Sequence, residues 1–149
     1  MLGGAFYATR LYRDLREETG LVYYVSSSFD IGKTRSFYMI DYGCDPRNAA
    51  RVHAIVQRDL TEMQQKAVTP EELDQVKAML LREIPLSESS IAGIAGGLLY
   101  RATHDLPLDE PAVAAGIYMK LTADQVKEAF AKWLRPMDLV QVIQGPAQE

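Results

Sequence analysis

An arginine and a tyrosine stand seven residues apart, on either side of a glycine, in the stretch Leu15-Arg16-Glu17-Glu18-Thr19-Gly20-Leu21-Val22-Tyr23. Arg16 falls in the last turn of a helical pattern, where a cation suits the negative end of the helix dipole. Gly20 can take the left-handed conformation that turns the chain into a strand. The two side chains can therefore converge. A guanidinium offers planar donors to a carbonyl or carboxylate, and a phenol can donate to an oxygen that becomes negative during acyl transfer. The same pattern also suits a plainer arrangement, with Arg16 a surface cation and Tyr23 a half-buried strand residue.

Other catalytic equipment is sparse. Zinc hydrolysis needs at least three converging N, O or S ligands, typically two histidines one helical turn apart with a glutamate as base. Neither His-Glu-x-x-His nor its inversion occurs. His53 borders an apolar helical stripe and reads as an interfacial histidine. His104 precedes Asp105 at a helix end, where it suits a capping role. Cys44 is the single cysteine, which excludes an internal disulfide, and it reads as a small buried hydrophobe. A metal site built from His53, His104 and Cys44 is the least favoured reading. Ser26-Ser27-Ser28 lacks the Gly-x-Ser-x-Gly elbow and reads as the polar face or edge of a sheet. Gly3-Gly4 before a helix could meet an anion, but it lacks the lysine and spacing of a phosphate loop.

The elements that must position Arg16 and Tyr23 follow from periodicity. Ala8, Leu11, Tyr12 and Leu15 recur at helical spacing between Gly4 and Gly20. Leu21 to Phe29 and Ser36 to Gly43 are rich in Val, Tyr, Ser, Phe and Ile, with turn chemistry at Asp30-Ile31-Gly32-Lys33, so they read as an antiparallel hairpin. Asp45-Pro46 caps a long helix to about Lys66, with Ala49, Val52, Val56, Leu60 and Met63 on its inner face. Thr69 and Glu72 form a capping box for a helix carrying Leu73, Val76 and Leu80, which Pro85 ends or bends. A further helix starts near Ser87 with Ile91, Ala95, Leu98 and Ala102. Its Gly93, Gly96 and Gly97 each cost roughly 1 kcal/mol of helix propensity and point to close approach of a neighbouring element. Asp109-Glu110-Pro111 opens a short helix. Thr122 and Gln125 form a second capping box, with Val126, Phe130 and Trp133 inward, and Arg135-Pro136 stops that helix. Leu139 to Ile143 reads as a short buried strand, and Gly145-Pro146 as the end of ordered structure.

Composition bounds the function. The chain has 149 residues, 48% of them hydrophobic, and a formal charge of −4, which fits one mildly acidic globular domain spanning 1–149. Scattered lysines and arginines exclude a phosphate-tracking surface, so nucleic acid is not an expected partner. No apolar run approaches the roughly 18 residues of a membrane span, and residues 1–6 lack signal-peptide character. The chain reads as soluble, in the bacterial periplasm or cytoplasm.

Adjacent strands, a run of helices and a returning strand give an α+β class with a mainly antiparallel sheet packed against several helices. Three strands are few for that many helices, so the sequence is expected to lack its N-terminal strands and to be part of a larger polypeptide, or to take the remaining sheet edge from a partner chain.

Taken in order, Leu2-Gly3-Gly4, Thr9-Arg10-Leu11, Leu15-Arg16-Glu17 and Gly20-Leu21-Val22-Tyr23 resemble the C-terminal, non-zinc domain of the M16 zinc peptidases, the pitrilysin, insulysin and mitochondrial processing peptidase family. The resemblance continues through Gly43-Cys44-Asp45-Pro46, Thr69-Pro70-Glu71-Glu72-Leu73, Leu106-Pro107-Leu108-Asp109, Leu121-Thr122-Ala123-Asp124-Gln125-Val126 and Val142-Ile143-Gln144-Gly145-Pro146, nearly the whole chain. Ala5 and Thr9 stand where the family usually has glycine and serine. The resemblance implies a LuxS/MPP-like metallohydrolase fold and a zinc-dependent metalloendopeptidase in which two similar halves enclose an unfolded peptide substrate. This chain would be the half without zinc, inactive alone and lacking nucleophile, base and cofactor. Zn2+ would sit in a partner half bearing His-x-x-Glu-His, within one polypeptide or as a separate subunit. A homodimer is a further possible assembly. By position, Arg16 and Tyr23 match the family pair that contacts the substrate backbone and helps stabilise the tetrahedral intermediate. The alternative it leaves is a structural or assembly protein that keeps the fold.

Overall fold

A computed structural model describes residues 1–3 and 9–145 of the chain. Gly4 and Ala8 of the first helical pattern, and the proline of Gly145-Pro146, lie outside the described residues.

The described chain begins with a short helix, α1 (Arg10–Tyr12), that continues without a break into a π-helical stretch, Arg13–Glu18. Thr9 starts it by accepting the Tyr12 amide on its hydroxyl. A single amphipathic α-helix is expected here, and the apolar stripe is as expected, with Leu11 and Leu15 fully buried. Only the winding differs. Two strands follow, β1 (Val22–Ile31) and β2 (Ser36–Cys44), paired antiparallel. The turn lies two or three residues later than expected: Ile31 is still paired, and the Gly32 amide donates to the Arg35 carbonyl at 3.1 Å.

After β2, a 3-10 turn at Pro46–Asn48 leads into α2 (Ala49–Gln65). Ala49, Val52, Val56, Leu60 and Met63 are all buried, as their spacing predicts. Next come α3 (Pro70–Ser87), α4 (Ile91–Thr103), α5 (Glu110–Lys120) and α6 (Ala123–Trp133). Both capping boxes form, Thr69 with Glu72 and Thr122 with Gln125. Pro85, which offers no N–H to the turn before it, lies inside the last turn of α3, and the helix ends at Ser87. Among the described residues no helix is long and apolar enough to cross a membrane.

The core gathers Leu11 and Leu15, Val22 from β1, the inner face of α2, Leu73 from α3, Val126 from α6 and Leu134. Each large side chain fully buried there contributes about 1.5 to 3 kcal/mol. Polar ties fix the surrounding elements. Arg10 donates from Nε and Nη2 to the two carboxylate oxygens of Glu72, each at 2.8 Å, joining α1 to α3. Gln64 on α2 donates through Nε2 to the Leu134 carbonyl at 2.8 Å and to the Phe130 carbonyl at 3.2 Å, the latter also accepting the Leu134 amide, so α2 holds the end of α6.

Three expectations change. Leu139 to Ile143 forms no strand: a 3-10 turn at Pro136–Asp138 precedes it, and Val140 and Val142 are 90% and 86% exposed. Among the described residues its backbone pairs with neither strand, and the Gln141 side chain donates to the Tyr42 hydroxyl of β2 at 3.4 Å. Trp133 points outward and is covered by Lys132 at 4.9 Å from its ring. On α4, Ile91, Ala95, Leu98 and Ala102 are exposed, and close approach explains only one glycine: a side chain at Gly93 would strike the Ser87 carbonyl, whereas Gly96 has nothing within 4 Å.

Candidate functional site

The π-helical stretch ends at a turn held by backbone and side-chain hydrogen bonds. Gly20 has φ of 61°, the left-handed value that a side chain resists, and it lets the Leu21 amide fold back to the Leu15 carbonyl at 2.9 Å. The Thr19 hydroxyl lies 2.8 Å from the Asp14 carbonyl and 3.1 Å from that of Leu15. Arg16 reaches across this turn and donates from Nη1 to the Val22 carbonyl at 2.8 Å. That carbonyl belongs to the peptide bond leading into Tyr23. The guanidinium therefore holds the start of β1 and keeps further N–H groups for another acceptor.

Tyr23 sits on an irregularity of the sheet. Val22 pairs with Cys44 and Tyr24 with Gly43, so Tyr23 is an extra residue with no opposite number, a β-bulge. Its consequence is visible in the burial. Val22 and Val25 face inward while Tyr23 and Tyr24, between them, are 66% and 52% exposed. The bulge thus puts two consecutive tyrosines on the outer side, where strict alternation would allow one. Opposite Tyr24 only glycine fits, because a Cβ on Gly43 would lie 2.5 Å from the Tyr24 ring.

The Tyr23 hydroxyl donates to Asp45 Oδ1 at 2.6 Å, and Arg47 stands 3.6 Å from the other carboxylate oxygen. Hydrogen bonding to Asp45, and then its negative charge, push the Tyr23 phenol above its ordinary value, so the group keeps its proton. Asp45 is expected to cap the following helix with its side chain; the carboxylate goes to Tyr23 instead, and only the Asp45 backbone carbonyl accepts from Asn48, at 2.9 Å. Sequence reasoning gives Asp45 no part in the site, since an Asp-Pro pair before a helix already has an explanation. Arg16 and Tyr23 are thus brought to one segment of backbone, although no hydrogen bond joins them among the described residues.

The remaining candidates have structural work. Gly3 packs against β1, its carbonyl accepting from the Ser27 amide at 2.8 Å and from the Ser27 hydroxyl, while Ser26 and Ser28 face solvent. His104 ends α4, with Nδ1 2.9 Å from the Tyr100 carbonyl and its ring stacked on Tyr100. His53 is half-buried on α2. Cys44 is half-buried at the end of β2, and burial raises its thiol pKa, the opposite of a reactive thiolate. Among the described residues no three His, Cys, Asp or Glu side chains are grouped so as to hold a metal.

The sequence pattern of the peptidase M16 inactive domain matches residues 1–80. The chain is also similar to the crystal structure of a peptidase M16 inactive domain from Pseudomonas fluorescens, with 32% identity and a TM-score of 0.79, over 91% of this chain and 32% of that one. A protease from Helicobacter pylori shares the fold at 17% identity and a TM-score of 0.76, over 87% of this chain and 31% of that one. The periplasmic protease PqqL from Escherichia coli does so at 15% identity and 0.69, over 83% and 14%. The chain therefore spans a third or less of the length of these structures. No curated protein matches it. The α+β architecture agrees with these relatives, and the chain belongs to the peptidase M16 inactive domain family.

Proposed function

We propose that this chain is the substrate-clamping, zinc-lacking half of an M16-type metallopeptidase, working with a His-x-x-Glu-His-bearing half that supplies the zinc and the hydrolytic water. The observation that carries the reading is the turn at Gly20, which delivers an arginine with free donors and an exposed, protonated tyrosine to the same piece of backbone. Arg16 would donate to a carbonyl of an extended peptide. Tyr23, turning its proton away from Asp45, would donate to the oxygen that becomes negative when the scissile carbonyl is attacked. A buried donor aimed at such an oxyanion is worth about 3 to 4 kcal/mol of transition-state stabilisation, so a half without metal can govern the rate.

The experiment is reconstitution. Mixed with a zinc-bearing half, the chain is expected to confer peptide hydrolysis that neither shows alone. Equal hydrolysis with and without the chain would remove the reading.

A structural role is the second reading, and one observation favours it. Arg16 and Tyr23 already have partners within the chain, Val22 and Asp45, and packing alone would ask no more of them.

A further inference from the structure

A second polar site lies away from Arg16 and Tyr23, where α3, α4 and α5 enclose a cleft of about 250 Å³. Arg101 forms part of its wall. Its side chain is only 9% exposed, yet among the described residues its one ionic neighbour is Glu88 at 3.9 Å, and its buried Nε has no hydrogen-bond partner. A guanidinium taken out of water in this way is costly unless an acceptor meets it. Gly97, one turn earlier on α4, lies beside the group, where a Cβ would stand 3.4 Å from Arg101 Nη1 and 3.8 Å from the guanidinium carbon, at ordinary contact distance.

The rest of the wall defines the ligand. Leu80, Ile84 and Ala114 are apolar, while the acidic residues Glu83 and Glu110 also line the cleft and, among the described residues, form no ion pair with Arg101. A simple anion would meet Arg101 but also two acids. A ligand with a carboxylate and an ammonium side by side on one carbon and an aliphatic side chain satisfies all three kinds of wall. The volume, below that of pockets for drug-sized molecules, suits one residue-sized ligand. We propose that the cleft is a binding site for a free aliphatic α-amino acid, its carboxylate on Arg101 and its ammonium toward Glu83 and Glu110. The proposal is independent of the role given to Arg16 and Tyr23, and concerns this chain alone.

The test is calorimetric and NMR titration of the 149-residue chain with L-leucine. The controls are 4-methylpentanoate, which lacks the ammonium, and isoamylamine, which lacks the carboxylate. Saturable one-site binding of leucine is expected, with shifts confined to α3, α4 and α5 and weaker binding of both controls. Arg101→Gln should weaken leucine binding by about tenfold or more. Glu110→Gln should weaken leucine but not 4-methylpentanoate, which keeps the test decisive if the Arg101 variant fails to fold. Absence of saturable leucine binding by the wild-type chain, equal binding of all three probes, or a folded Arg101→Gln chain that binds as wild type would each overturn the proposal.

Discussion

The Arg16 guanidinium donates across 2.8 Å to the carbonyl of Val22, the residue that immediately precedes Tyr23. This bond closes the turn between the π-helical stretch and β1 from the side-chain direction, while the Leu21 amide closes it from the backbone. The two residues with candidate chemistry are therefore mechanically coupled: what loosens the turn moves both.

Gly20 is the first place to test that coupling. Its φ of 61° is costly for any residue with a Cβ, but nothing lies within 4 Å of where that Cβ would stand, so the penalty is conformational and not steric. Gly20→Ala is expected to lose about 1 kcal/mol in urea denaturation, and Gly20→Asn less, because asparagine tolerates the left-handed region.

Asp45 holds the Tyr23 hydroxyl at 2.6 Å and raises the pH at which the phenol ionises. Asp45→Asn removes the charge and is expected to bring that ionisation down toward the ordinary tyrosine range, read by NMR titration of the chain carrying 13C-labelled tyrosine. An unmoved Tyr23 titration would mean that the contact is absent in solution.

The Arg10–Glu72 pair predicts an acid-sensitive step. Hydrogen bonds from Arg10, opposed by burial and aided by the Thr69 amide, pull the Glu72 carboxyl from 4.5 to about 2. A depressed folded-state pKa gives stability that is complete above about pH 4.5 and lost as pH falls toward 2. The pair is partly solvated, so about 1 kcal/mol is at stake after screening. Glu72→Gln should lower stability by about that amount at neutral pH and flatten the wild-type loss between pH 4.5 and 2.

Leu15 is fully buried, one residue before Arg16. Leu15→Ala is expected to cost about 2 to 5 kcal/mol through the lost burial and the cavity left behind, measured by denaturant unfolding. Since its carbonyl also receives the Leu21 amide, any shift of this residue will carry the turn with it.

What was legible beforehand was local. Thr69 with Glu72 and Thr122 with Gln125 are three residues apart, so the sequence alone contains the whole motif, and α2 repeats its apolar positions over four turns. Gly20 likewise declares its conformation through residue type. Features that depend on what lies opposite were not legible. The bulge at Tyr23 exists only in the register between two strands, and the Asp45 contact spans 22 positions. Trp133, the outer residues of α4 and the segment Leu139 to Ile143 have inward-looking patterns. Hydropathy registers their apolar character but not whether an element is present to cover it, and among the described residues none is. Arg101 was invisible for the converse reason, because a lone arginine near a helix end looks like a surface cation until its burial is known.

The central claim is that Arg16 and Tyr23 complete an active site whose zinc lies in another half. Its most direct measurement is kcat/KM of the reconstituted peptidase bearing Arg16→Ala or Tyr23→Phe, with zinc content determined on the same samples. Each change is predicted to lower turnover with zinc unaltered, Tyr23→Phe by about 10² to 10³, the loss typical of removing one oxyanion donor. Turnover equal to wild type in both variants would contradict the account and leave the pair as structural residues of the turn.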